Sequence, residues 1–254
     1  MYGTFSYNGG VINYDLCGTG ETIVFLHGFS LDSRMWVDQV NYFKANYQCL
    51  TLDMRGYGKS SLPSCEYSYH EDLKALLDHL DINRMHLVGL SLGGEEALNF
   101  ALDYPDYVKT LTLVSSSLGG YSSTVDWDVH INEVGLEQAK VNWLNHPVFS
   151  SSHMYPDVLS QLKMMVGDYS GWHWQNSGYR IRPNKAAITR LAEISLPVLV
   201  VTGELDLSYY QEIAAILQNE VRTIKKVVIN NSGHMLTMEQ SDLFNSILEK
   251  FISA

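Results

Sequence analysis

Short apolar runs alternate with longer amphipathic stretches along most of this chain. Eight runs predict strands, at residues 2–7, 11–14, 23–26, 49–52, 86–88, 111–114, 197–201 and 227–229. The later ones are short, apolar throughout and rich in Val, Ile and Leu. That suits strands covered on both faces of a parallel sheet. The first two alternate in polarity and flank Asn8-Gly9-Gly10, which predicts a hairpin at one edge. Between the strands lie helical stripes. Residues 71–80 carry Leu73, Leu76, Leu77 and Leu80, and residues 92–102 carry Leu92, Leu98, Ala101 and Leu102 before Tyr104-Pro105. A third stripe, at 242–252, carries Leu243, Phe244, Ile247, Leu248, Phe251 and Ile252. The repeated strand–helix–strand order predicts an α/β protein, with a mostly parallel eight-stranded sheet and helices on both faces.

One stretch breaks this rhythm. From Gly119 to Arg190 there is no strong strand pattern, while 131–144 and 157–166 read as helical. Trp127, Trp143, Trp172 and Trp174, four of the five tryptophans, fall here. A structureless loop of this length does not suit a compact domain. A helical cap, or lid, is therefore expected at 119–190, inserted after strand six of a core built from 1–118 and 191–254.

Composition bounds the function. Of 254 residues, 46% are hydrophobic and 18% charged, enough apolar material for a sizeable core. No apolar run approaches the ~20 residues of a membrane-spanning helix. The opening MYGTFSYNGG has no basic start and no apolar h-region, so no secretory signal is expected. Lys and Arg number 17 against 28 Asp and Glu, a net charge of −11 with no basic run. That balance argues against nucleic acid or an anionic membrane as partner, and the surplus acid serves solubility. Cys17, Cys49 and Cys65 are odd in number and form no CxxC, so neither a disulfide framework nor a zinc ribbon is expected. This usage points to a reducing, cytoplasmic setting. No His, Cys or Asp grouping has metal-ligand spacing, so neither metal nor cofactor is expected.

The strongest chemical signal is Gly89-Leu90-Ser91-Leu92-Gly93-Gly94, between the strand at 86–88 and the helix at 92–102. GxSxG alone is weak; a strand that turns sharply into a helix at the serine gives it weight. The small residues two before and two after Ser91 permit a strained turn that lifts its hydroxyl clear of the sheet. The helix N-terminus behind it favours negative charge. The plain alternative is a β-to-helix turn with a capping serine. A serine nucleophile needs a base. His234 is the candidate, on the Asn230-Asn231-Ser232-Gly233-His234 loop after the last strand. The base needs an acid to hold its tautomer. Asp206 is the candidate, after the strand at 197–201, with Glu204 as its local competitor. An acid after the strand at 111–114 would be the other option, but Ser115-Ser116-Ser117 stands there. An oxyanion hole is expected from the backbone N–H groups of Phe29 and Leu92. His27 sits where the chain turns and is assigned a structural role.

Five motifs in one order resemble the α/β-hydrolase superfamily, over about residues 7–251. They are His27-Gly28-Phe29, Asp53-Met54-Arg55-Gly56-Tyr57-Gly58-Lys59-Ser60, the serine turn at 89–94, Gly203-Glu204-Leu205-Asp206, and Gly233-His234. The resemblance implies the Ser91, Asp206, His234 order of a catalytic triad, a structural turn at 53–60 and a helical cap between strands six and seven. Serine at the elbow separates the chain from dehalogenase and epoxide-hydrolase branches, whose nucleophile is Asp. Leu90 and the phrase Trp143-Leu144-Asn145-His146-Pro147-Val148-Phe149 are similar to small lactonases, including 3-oxoadipate enol-lactonases, and to related esterases. C–C bond hydrolases usually carry Gly-Pro-Gly in the oxyanion turn, where this chain has Gly28-Phe29-Ser30-Leu31. In the family a proline often follows the acid soon after; here Leu207-Ser208-Tyr209 follows.

The expected activity is thus cofactor-free hydrolysis of a small-molecule ester or lactone through an acyl-enzyme. A C–C hydrolase or another acyl-transfer enzyme is the alternative, as is a slow-turnover ligand receptor using the same pocket. The oligomeric state, a homodimer included, is left open. The Trp172-His173-Trp174 segment either walls the pocket or fastens the cap to the core.

Overall fold

The computed structural model describes residues 1–122, 124–176 and 178–254. The eight expected strands are present: β1 (Tyr2–Tyr7), β2 (Gly10–Cys17), β3 (Thr22–Leu26), β4 (Gln48–Asp53), β5 (Met85–Leu90), β6 (Val108–Val114), β7 (Val198–Gly203) and β8 (Ile224–Ile229). They form one sheet in the order β1-β2-β4-β3-β5-β6-β7-β8. β1 and β2 pair antiparallel through a turn at Asn8 and Gly9, both at positive φ, and β2 meets β4 antiparallel as well. Every other pairing is parallel. β3, β5 and β7 are buried along their whole length, which is why their residues are apolar without alternation. Because successive side chains point to opposite faces, each strand feeds two cores. Val24, Leu50 and Leu87 face one, and Ile23, Phe25 and Val88 face the other.

The helices cover both faces. α1 spans Val37–Phe43, α2 Tyr69–His79 and α3 Leu92–Asp103. After β6 come α4 (Ile131–Val134), α5 (Leu136–Leu144), α6 (Pro156–Asp168) and α7 (Trp172–Gln175). The chain then closes with α8 (Ser208–Glu220), α9 (Leu236–Glu239) and α10 (Ser241–Ile252). α2, α3 and α8 pack on one face through Leu73, Leu98 and Ile213. α1 and α10 pack on the other through Phe43 and Leu248, in a core that runs on into Trp143, Leu162 and Val166.

The departures from the sequence reading have local causes. The single helix expected at 131–144 is two, because Gly135 at φ +79° breaks it. α1 has seven residues and buries only Gln39 and Phe43, too short a stripe for periodicity to reveal. α8 was also not foreseen, since its buried face mixes Tyr210 and Ala214 with Ile213 and Leu217 and contrasts weakly with its surroundings. β2 runs on to Cys17, past the expected end at residue 14, because its register with β4 continues to Cys49. No described helix is long and apolar enough to cross a membrane.

Candidate active site

Ser91 alone joins β5 to α3, at φ 56°, ψ −114°. A positive φ in a non-glycine residue costs ~1–3 kcal/mol and persists only where its surroundings impose it. Here three backbone hydrogen bonds do so. The Ser91 N–H donates to the Val114 carbonyl at 3.0 Å, and its carbonyl accepts from Glu95 N at 3.0 Å and Ser117 N at 3.1 Å. The flanking glycines are needed for close approach. A Cβ on Gly93 would collide with the carbonyl oxygens of Leu26 and His27, and one on Gly89 with the Gly93 carbonyl. Leu92 is the first residue of α3, so its N–H is among those with no intrahelical acceptor.

The other two predicted side chains follow β7 and β8. Asp206 follows β7, and its side chain is fully buried. Its Oδ1 accepts the Leu207 N–H at 2.8 Å. His234 follows β8, and its Nδ1 lies 3.3 Å from Asp206 Oδ1 and 3.4 Å from Oδ2. Such a pair is long for a hydrogen bond. The competitor, Glu204, is exposed, and its carboxylate accepts the Asn231 N–H at 3.0 Å. It therefore props the backbone of the histidine loop. Glu239, which the sequence did not single out, grips the same loop from below. It is buried and accepts from Gly233 N at 2.6 Å, Ser151 Oγ at 2.8 Å and Ser152 Oγ at 2.6 Å.

His27 has the structural role expected of it. Its Nε2 accepts the Met54 N–H at 2.9 Å, so the ring proton sits on Nδ1 and donates to the Gly28 carbonyl at 2.8 Å. Burial holds this imidazole neutral, below its ordinary pKa. The turn it stabilises delivers Phe29 to the site.

Ser91, His234, Phe29 and Leu92 line one cavity of about 430 Å³. Its walls carry Trp127, Trp143, Trp174, Tyr209 and Tyr210, with Arg180 and Arg182 also on the lining. Tyr210 was not anticipated. Its hydroxyl lies 3.3 Å from Ser91 Oγ, and its ring centroid 4.3 Å from that of His234. Among the described residues it is the side-chain hydrogen-bond partner of the serine hydroxyl. No sequence signal marks it, since Asp206 lies before α8 and the helical period does not relate the two residues.

The Trp172-His173-Trp174 segment divides its labour. Trp174 reaches the cavity wall, while Trp172 packs on Tyr67 and Tyr179. His173 stacks on Tyr57 at 4.3 Å and is held by two phenols. Tyr69 OH donates to the Arg55 carbonyl at 3.3 Å, which leaves Nδ1 to accept from Tyr169 OH at 3.0 Å, while Tyr169 OH accepts the His173 backbone N–H at 3.0 Å. Nε2–H then donates to Tyr69 OH at 2.9 Å. Burial, with Arg180 nearby, pushes the imidazole pKa down to about 3. His173 is thus a neutral fastener between segments. Among the described residues no group of three or more His, Cys, Asp or Glu is placed to hold a metal ion, and the three cysteines are free.

Comparison with known proteins bears on the family and the fold. A family model described as alpha/beta hydrolase fold matches residues 21–178. A 2-hydroxy-6-oxononadienedioate/2-hydroxy-6-oxononatrienedioate hydrolase of Burkholderia vietnamiensis is 30% identical, over 95% of this chain and 90% of its own. A pimeloyl-[acyl-carrier protein] methyl ester esterase of Legionella pneumophila is 29% identical, over 95% of this chain and 99% of its own. Among solved structures, Est816, described as an N-acyl homoserine lactone degrading enzyme, superposes with a TM-score of 0.79 at 28% identity. That match covers 98% of this chain and 100% of that one.

Proposed function

The chain belongs to the alpha/beta hydrolase family, and from that premise we propose that it hydrolyses a small carboxylic ester or lactone with Ser91 as nucleophile. The observation that carries this is a serine on a strained strand-to-helix turn, sharing one cavity with an imidazole whose Nδ1 faces a buried carboxylate. In this reading Ser91 Oγ attacks the carbonyl carbon while His234 accepts its proton. Asp206 fixes the imidazole and stabilises its positive charge. The developing oxyanion lies against the N–H groups of Phe29 and Leu92, each such donor being worth about 3–4 kcal/mol of barrier. His234 returns the proton to the leaving alcohol. A water activated by the same imidazole then releases the acid.

The relatives named as an ester hydrolase and as a lactone-degrading enzyme support this substrate class. The aromatic walls suit a small apolar acyl group or ring. Residues 119–190 act in this reading as a cap over the core of 1–118 and 191–254, since Trp127, Trp143 and Trp174 supply much of the cavity wall. A second reading, hydrolysis of a C–C bond by the same three side chains, draws on the 30%-identical dienedioate hydrolase. Product analysis separates the two.

The test is turnover of p-nitrophenyl esters of rising chain length and of a lactone panel, with Ser91→Ala as the blank. Activity that disappears in the variant while its fold persists is expected. Retained activity would overturn the assignment.

A further inference from the structure

The first helical turn behind Asp206 places a phenol against the serine oxygen. Tyr210 is the third residue of α8 and is buried, with its hydroxyl 3.3 Å from Ser91 Oγ and its ring against His234. Ser117 lines the same cavity. In the free enzyme either hydroxyl of the Ser91–Tyr210 pair can donate. Once Ser91 is acylated, that freedom is gone. Its Oγ is then an ester oxygen with no proton, and Tyr210 is the only one of the two that can donate.

We propose that the Tyr210 hydroxyl is a catalytic hydrogen-bond donor that eases departure of Ser91 Oγ from the acyl-enzyme. The inference rests on the reading of Ser91 as nucleophile.

A water oxygen bonds to the acyl carbon as His234 takes one water proton. The bond from acyl carbon to Oγ then breaks, and its electron pair passes to Oγ. His234 delivers the proton to that oxygen, and the acid leaves. Tyr210 keeps its own proton throughout, and burial, which holds the phenol well above its ordinary pKa, keeps it available. Its hydrogen bond strengthens as negative charge gathers on Oγ, which is where a donor lowers a barrier.

Acylation gains less. The resting serine hydroxyl is already paired with Tyr210, so loss of that bond affects ground state and transition state together. Deacylation starts from an ester oxygen, a weak acceptor, and the bond is gained mainly as charge returns to Oγ. The two half-reactions therefore respond differently to loss of one hydroxyl, whereas a packing defect in the cavity would slow both.

The experiment is pre-steady-state release of p-nitrophenol from p-nitrophenyl acetate, by the intact protein and by Tyr210→Phe, which retains the ring on His234. Deacylation is expected to fall about 10-fold, the effect of roughly one good hydrogen bond, with acylation changed less than about 2-fold. The burst should then approach one equivalent. Parallel loss in both steps, or no change in either, would overturn the proposal. A 3-fluorotyrosine at position 210, similar in size and a stronger donor, provides a second measurement independent of how well the Phe variant folds. Faster deacylation supports the proposal and an unchanged rate refutes it. Ser91→Ala separates the two levels. A burst that survives in that variant sinks the nucleophile reading itself. A silent Ser91→Ala with an unaltered partition in Tyr210→Phe sinks only the role of the phenol.

Discussion

Gly93 shows how much of the site is set by single atoms. Its α-carbon lies so close to the carbonyl oxygens of Leu26 and His27 that a methyl group cannot be accommodated without moving backbone. Gly93→Ala is expected to lower stability by about 1–3 kcal/mol, the usual range for overpacking a rigid position, read as a shift of the urea midpoint. Unchanged stability would mean that α3 does not seat against β3 as described. At this scale the sequence was informative where chemistry and punctuation coincide. Ser91 stood between glycines at a strand end, and His234 and Asp206 each followed an apolar strand. Tyr210 had no such mark. With 16 tyrosines in the chain, nothing in its identity separates a phenol that meets the serine from one that merely packs.

Glu239 acts on an element, the loop that carries His234. Its carboxylate accepts from the Gly233 backbone and from Ser151 and Ser152, so it ties that loop to the segment between β6 and β7. Glu239→Ala leaves these donors buried without their acceptor, at about 1–3 kcal/mol for each one not rescued by water. The expected outcome is a lower melting temperature together with a turnover loss larger than the loss of folded protein explains. Turnover that tracks folded protein alone would show that the loop holds His234 without this anchor. The inner strands β3, β5 and β7 were legible because burial on both faces leaves an unbroken apolar run. Helix ends within 119–190 were not. The break at Gly135 is a backbone event, and α7 has four residues whose aromatic side chains fit a wall or a seam equally.

Across the whole molecule, the helical segment after β6 is fastened to the sheet at several separated points. Trp143 Nε1 donates to Ser30 Oγ at 2.6 Å, and Arg180 pairs with Glu95 at 2.9 Å and also with Glu96. His173 is the fastener with a pH dependence. Unfolded, its imidazole has an ordinary pKa of about 6.5; folded, burial holds it at about 3. Below about pH 6.5 the unfolded chain takes up a proton that the folded chain refuses. Stability from this group is therefore full above that value and is lost as the pH falls toward 3. Burial of His27 and His86 acts in the same sense. His70 acts oppositely, since Glu96 raises its pKa in spite of burial. His173→Gln keeps a donor and an acceptor but does not titrate. Its melting temperature should drop less than that of the parent protein between pH 7 and pH 4.5. An equal drop in both would remove His173 from the acid limb. The sequence could not separate wall from fastener here, because hydrogen-bond partners 104 residues apart, His173 and Tyr69, meet only in the fold.

The most direct test of the account is the site of covalent capture. After reaction with a fluorophosphonate, peptide mass spectrometry should find the adduct on Ser91, in step with loss of ester hydrolysis. Complete inactivation with Ser91 unmodified, or full ester turnover with Ser91 fully blocked, would contradict it.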